Sequence, residues 1–221
     1  MSPGKATVVA LFVRPPIPGR VKTRLAAGLG DEEACCLYRA LVTDILGQIK
    51  GSGLPLHLFH DDADPSELPD DWRDAAIRIR PQRGEDIGRR MASAFADCFA
   101  AGIDRVILVG SDLPDLDTGV LLQAEKALDS VDAVLNPVAD GGYCLIALRR
   151  DSFRPELFAG IPWSTDRVFA RSLRRLRACA LSVAVLPVLR DIDTINDLRA
   201  YRQCPSPSAV ATNRIIGELL D

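Results

Sequence analysis

The stretch Arg105-Val-Ile-Leu-Val-Gly-Ser-Asp-Leu-Pro114 decides the fold. Its four apolar residues do not alternate with polar ones, so they read as a strand covered on both faces, as in a sheet with helices on each side. The strand runs directly into Gly110-Ser-Asp112, which brings the Asp112 carboxylate out at the sheet edge. Open α/β sheets bind their ligands at that carboxyl edge, so the residues just after strands carry the functional information.

Thr7-Val-Val-Ala-Leu-Phe-Val13 repeats the pattern and ends at a proline-rich segment. Leu54 to His60 and Ala75 to Arg80 read as further strands with an acidic loop between them. Ala133 to Val138 and Tyr143 to Leu148 read as strands joined by a tight turn, Ala139-Asp-Gly-Gly142, which sets an antiparallel element beside a parallel sheet. Ser182 to Leu189 reads as the last strand. Helical spacing of apolar residues predicts helices from about Asp31 to Gly51, Glu85 to Ala101, Thr118 to Leu128 and Thr165 to Leu176. Thr194 and Asp197 form a capping-box pattern for a short helix, and Cys204-Pro-Ser-Pro-Ser208 links it to a terminal helix from about Ala209 to Leu220. At 221 residues, 48% hydrophobic and 26% charged, a single α/β layer structure is expected.

No apolar run approaches the ~20 residues needed to cross a bilayer, and no signal peptide is evident, so a cytoplasmic protein that does not enter the membrane is expected. Cys35, Cys36, Cys98, Cys144, Cys179 and Cys204 lack metal-ligand spacing and read as buried free thiols. His57 and His60 read as surface residues beside acidic ones. The net charge of −3 disfavours nucleic acid as a partner.

Positive charge is concentrated instead. Between Arg14 and Arg24 there are four cations (Arg14, Arg20, Lys22, Arg24), three prolines and no acid, and Gly19 permits close backbone approach. Such a stiff basic loop suits a di- or triphosphate. Asp112, and Asp193 after the last strand, sit where two carboxylates from separate strands share a Mg²⁺ or Mn²⁺ ion. Asp140-Gly141-Gly142-Tyr143 and Trp163 are candidates for substrate contact. Plainer readings stay open for each: an exposed loop, a turn aspartate before Pro114, a cap for the Thr194 helix, a hairpin turn and a packing tryptophan. The sequence has no nucleophile elbow, Walker loop, dinucleotide fingerprint or zincin motif, which excludes the commonest hydrolase, P-loop, dinucleotide and zinc-protease classes.

Six blocks in order, Phe12 to Leu25, Gln82 to Met91, Gly110 to Leu116, Asp140 to Tyr143, Trp163 to Thr165 and Asp191 to Thr194, resemble the bacterial GT-A-like selenodomain-associated or arsenosugar-biosynthesis transferases. The resemblance implies the nucleotide-diphospho-sugar transferase fold: a mixed, mostly parallel sheet between helices, in one domain over 1–204, with 205–221 a linker and helix packed on it. It implies a nucleotide or nucleotide-sugar donor and a small-molecule acceptor. Arg14, Gly19, Lys22 and Arg24 would hold donor phosphate. Asp112 and Asp193 would hold the metal, and Lys22, Asp112 and Asp140 would act in catalysis, Asp140 as the base. Pro114 stands where many glycosyltransferases of this fold have the second aspartate of Asp-x-Asp. The Asp-Leu-Pro pattern with Val21-Lys-Thr-Arg-Leu25 is also similar to phospholactate guanylyltransferase and molybdenum-cofactor nucleotidyltransferases. Glycosyl transfer is the first expectation, nucleotidyl transfer the second, and a non-catalytic nucleotide-binding partner the third.

Overall fold

The computed structural model describes residues 5–61 and 64–220. A seven-stranded sheet has the order β3-β2-β1-β4-β6-β5-β7, with β1 at Thr7–Val13, β2 at Leu56–His60, β3 at Arg78–Pro81, β4 at Arg105–Val109, β5 at Ala133–Pro137, β6 at Tyr143–Arg149 and β7 at Val183–Val185. Pairings are parallel except for β6, which runs antiparallel to both β4 and β5. The carboxyl ends of the other six strands therefore open on one edge together with the start of β6. That edge carries the site.

Among the described residues eight α-helices flank the sheet: α1 (Thr23–Leu29), α2 (Asp31–Ser52), α3 (Asp70–Ala75), α4 (Ile87–Ala100), α5 (Thr118–Ala127), α6 (Val168–Ala178), α7 (Ile195–Gln203) and α8 (Val210–Leu220). One face of the sheet buries Val9, Leu11, Ile107 and Val109 against Val42, Ile45 and Leu121. The other buries Val8, Ala10, Val106 and Leu108 with Met91, Phe95 and Leu176. Strands covered this way need no alternation, which is why β1 from Val8 and β4 from Val106 are unbroken apolar runs. A third cluster joins Leu25, Leu37, Leu41, Ile192, Leu198 and Ile216, so α1, α2, α7 and α8 share one core. Among the described residues no helix is long and apolar enough to cross a membrane.

The structure corrects several expectations. The basic loop is shorter than expected, because α1 already begins at Thr23, before the helix predicted from Asp31. Seven residues give too little periodicity to read, but Leu25 is fully buried and holds the turn in place. In the acidic loop, Trp72 is fully buried and anchors α3, which takes Ala75 away from the strand predicted there. The final strand stops at Val185 rather than Leu189. Pro187 has no amide to offer a ladder, and its carbonyl accepts from Asn136 Nδ2 instead. Of the cysteines, Cys36, Cys179 and Cys204 are exposed. His57 and His60 are buried, not surface residues, because β2 is covered on both faces. Burial first, and then the charges of Arg78 and Arg80, push the His57 imidazole down to about 4. It stays neutral, 3.4 Å from the Cys98 sulfur.

Candidate active site

A cleft of about 670 Å³ opens along the carboxyl edge of the sheet. Its walls come from the end of β1 (Phe12 to Arg14), the start of α1 (Val21 to Arg24), the segment after β4 (Gly110 to Leu113), the β5–β6 turn and Asp191 with Asp193. Segments far apart in sequence thus meet in one place.

Lys22 is the pin. Its backbone lies in the left-handed region, φ 50° and ψ 38°, a conformation a lysine adopts only when its surroundings enforce it. The side chain is 2% exposed, and Nζ lies 2.5 Å from both Asp112 Oδ1 and the Ile192 carbonyl oxygen, donating to each. One ammonium therefore ties the loop after β1 to the segments that follow β4 and β7. The Ile192 amide donates to the Asp112 carbonyl at 3.1 Å and closes the same junction from the backbone.

A second link runs through Tyr38 on α2. Its hydroxyl accepts from the Arg14 amide at 2.9 Å and lies 3.2 Å from Ser111 Oγ. Burial, followed by the charge on Asp112, pushes the phenol well above its ordinary range, so it stays neutral. Buried Gln82 donates through Nε2 to the carbonyls of Phe59 and Val13, and its own amide donates to His60, which holds the ends of β1, β2 and β3 together.

The other cations sit at the rim. Arg24 Nη1 lies 2.5 Å from Asp193 Oδ2, with both side chains substantially exposed. Arg14 reaches Asp61 at 3.7 Å, also exposed. Of the remaining loop residues, Arg20 faces Glu67 at 4.0 Å and Gly19, at φ 75°, turns the chain beside Asp31, so neither lines the cleft.

On the opposite wall, Asp140 Oδ1 accepts from the Gly142 amide at 2.8 Å, an Asx turn that shapes the hairpin. Gly141 has φ 90°, and a Cβ there would lie 2.1 Å from the Asp166 carbonyl oxygen, so only glycine fits. Gly142 and Tyr143 line the cleft, whereas Gly141 lies behind the turn. Trp163 does not reach the cleft. Its indole packs where a Cβ on Gly88 would go and meets Tyr143 edge-on at 6.4 Å, so it braces the wall rather than offering a stacking face.

The residue that sequence reasoning passed over is Asp191. Burial, and then repulsion from Asp140, push its carboxyl up to about 6, with Lys22 opposing the rise. The signal was available in Asp191-Ile-Asp193: Ile192 is fully buried in the third core cluster, so in an extended segment its two neighbours share the opposite side, and both line the cleft.

Among the described residues no three His, Cys, Asp or Glu side chains converge on one point as an all-protein cation site. Mg²⁺ commonly binds through one or two carboxylates plus phosphate oxygens and waters, and the oxygen donors of Asp112 and Asp193 fit that mode. Lys22 and Arg24 engage Asp112 Oδ1 and Asp193 Oδ2, leaving the second oxygen of each for a ligand.

The fold is shared widely. A crystal structure of a candidate nucleotide-diphospho-sugar transferase from Desulfovibrio desulfuricans G20 superposes with a TM-score of 0.84 at 33% identity, covering 97% of this chain and 98% of that one. An inositol-1-phosphate CTP transferase from T. maritima (TM-score 0.57, 12% identity, 96% of each chain) and a cytidylyltransferase from Leptospira borgpetersenii (0.55, 14%, 97% of this chain and 94% of that one) share the fold alone. No curated protein matches the sequence. The model of the DUF2064 family, described as uncharacterized proteins conserved in bacteria, matches residues 47–165. With that match over more than half of the 221 residues and a full-length relative at 33% identity, the chain belongs to the DUF2064 family.

Proposed function

We propose that the protein is a cytoplasmic nucleotide-dependent transferase, and that it transfers a glycosyl group from a nucleotide-diphospho-sugar to a small acceptor. The observation that carries this reading is the buried Lys22, which joins Asp112 to Ile192 beneath the exposed Arg14 and Arg24. A row of cations over strand-end carboxylates suits a diphosphate. The resemblance to selenodomain-associated transferases and the near-full-length likeness to a candidate nucleotide-diphospho-sugar transferase support the choice of donor.

In this reading Arg14 and Arg24 grip the donor's phosphate oxygens at the rim and Lys22 fixes the floor. As the sugar departs, negative charge accumulates on the nucleoside diphosphate, and fixed cations stabilise it there without having to reorganise. Asp112 and Asp193 would hold a Mg²⁺ or Mn²⁺ ion, whose chemistry is to neutralise the same phosphates. Asp191 is better suited than Asp140 to take the proton from the acceptor hydroxyl. Its carboxyl titrates near 6, close to working pH, while one oxygen of Asp140 is committed to the turn.

The density of positive charge on one short loop favours a second reading, nucleotidyl transfer from a nucleoside triphosphate with pyrophosphate leaving along the loop. Products separate the two. Incubation with nucleotide sugars and nucleoside triphosphates, followed by ³¹P NMR, should yield a nucleoside diphosphate in the first case and pyrophosphate in the second. Binding without turnover across a broad acceptor panel would favour the non-catalytic partner instead.

A further inference from the structure

Exposed arginines without a carboxylate partner occur singly at Arg78, Arg80 and Arg199, but on and beside α6 four of them gather on one face. Elsewhere, Arg24, Arg105, Arg149 and Arg190 each lie within 2.7 Å of an aspartate. Arg167, just before α6, and Arg171, Arg174 and Arg177 within it are exposed, and among the described residues their guanidinium groups meet no carboxylate, hydroxyl or carbonyl. Their spacing of four, three and three places them on one stripe, about 15 Å long at 1.5 Å per residue. Like charges at these spacings repel and weaken a helix, and only Arg177, in the last turn, gains from the helix dipole.

The opposite face of α6 is fully occupied. Val168 and Leu176 are buried, and Phe169 and Leu173 pack on the core, so the helix has no apolar side chain to sink into a lipid layer. The chain as a whole carries −3, which disfavours a long polyphosphate, and the stripe is short for one. Four unpaired forks over ~15 Å match a few carboxylates on about five residues of extended chain. We propose that the outer face of α6 is a docking surface for an acidic polypeptide segment. The stripe is fixed to the cleft wall as well, because the Phe169 amide donates to the Gly141 carbonyl at 2.8 Å. The inference does not depend on the transferase reading.

The test is fluorescence anisotropy with a fluorescein-labelled decaglutamate peptide at low salt, on wild type and on R171E/R174E, with R167E/R177E as a second variant. Removing repelling charges from exposed positions should leave both variants folded, which thermal melting checks. Wild type is expected to bind the peptide, and each variant to lose at least tenfold in affinity. No binding by wild type would overturn the proposal, as would equal binding by the variants, since the peptide would then be held at the basic loop. Tighter, stripe-dependent binding of a single-stranded oligonucleotide or of phosphatidylglycerol vesicles would overturn it in favour of a different partner.

Discussion

Two ion pairs of the cleft have the same length and different surroundings. Lys22 to Asp112 and Arg24 to Asp193 both measure 2.5 Å, yet the lysine side chain is 2% exposed and the arginine 71%. In the first, a desolvated ammonium has two oxygen partners; in the second, water competes with the carboxylate for an exposed guanidinium. The pair with the buried cation is therefore a structural joint, although its carboxylate is 45% exposed, and the pair with the exposed cation is a contact that a phosphate can take over. Distance alone would have ranked them equal.

The largest effect is expected at the buried joint. Asp112→Asn leaves the buried ammonium of Lys22 with the Ile192 carbonyl alone, which should cost about 2 kcal/mol after screening at the 45% exposed carboxylate and lower the melting temperature by roughly 6 °C. Asp193→Asn should cost at most about 0.5 kcal/mol. Chemical denaturation of both variants measures the contrast, and equal losses would break the comparison.

Asp191 gives the next effect. Its carboxyl is pushed up to about 6 from an ordinary 3.8, so between those values the folded state holds more protons than the unfolded one. Stability contributed by this group therefore falls as pH rises through that window, and the penalty is fully present above about 6. Asp191→Asn should remove it, making the variant more stable than wild type at pH 7.5 by on the order of 1 kcal/mol after solvent screening, with the gap closing toward pH 4. Melting curves across pH read this directly. In the transferase reading the same variant should lose about 10²- to 10⁴-fold in activity, and what remains should lack the acid limb near pH 6.

The smallest effect on stability belongs to Arg24→Ala, within about 0.5 kcal/mol of wild type. Its cost should appear in ligand binding instead, as a loss of roughly 10- to 100-fold in affinity for a nucleoside diphosphate, since charge-assisted bonds to phosphate contribute roughly 1.5–3 kcal/mol.

The fold was legible because β1 and β4 are unbroken apolar runs followed by chemically unusual residues, and doubly covered strands leave that mark. The hairpin turn at Gly141 was legible for the same kind of reason, since φ 90° and a carbonyl at 2.1 Å demand glycine. What escaped was set by tertiary packing. Neither the seven residues of α1 nor the three of β7 carry a readable period. The burial of His57 depends on helices packed over β2 and not on its acidic neighbours in sequence. Lys22 and Asp112 could be singled out as candidates, but their direct contact joins residues 90 positions apart, and no local pattern encodes it. Asp191 was overlooked because two aspartates flanking an isoleucine look alike until burial and a like-charged neighbour distinguish them.

In the proposed reading this cleft holds the phosphates of a nucleotide between the loop after β1 and the strand-end aspartates. Calorimetric titration of wild type and Arg24→Glu with a panel of nucleoside diphosphates in the presence of Mg²⁺ tests it most directly. At least one of them should bind wild type and bind Arg24→Glu at least tenfold more weakly, with the melting temperature of the variant unchanged. Equal affinity for the two proteins, or no binding of any nucleoside diphosphate to wild type, would contradict the account.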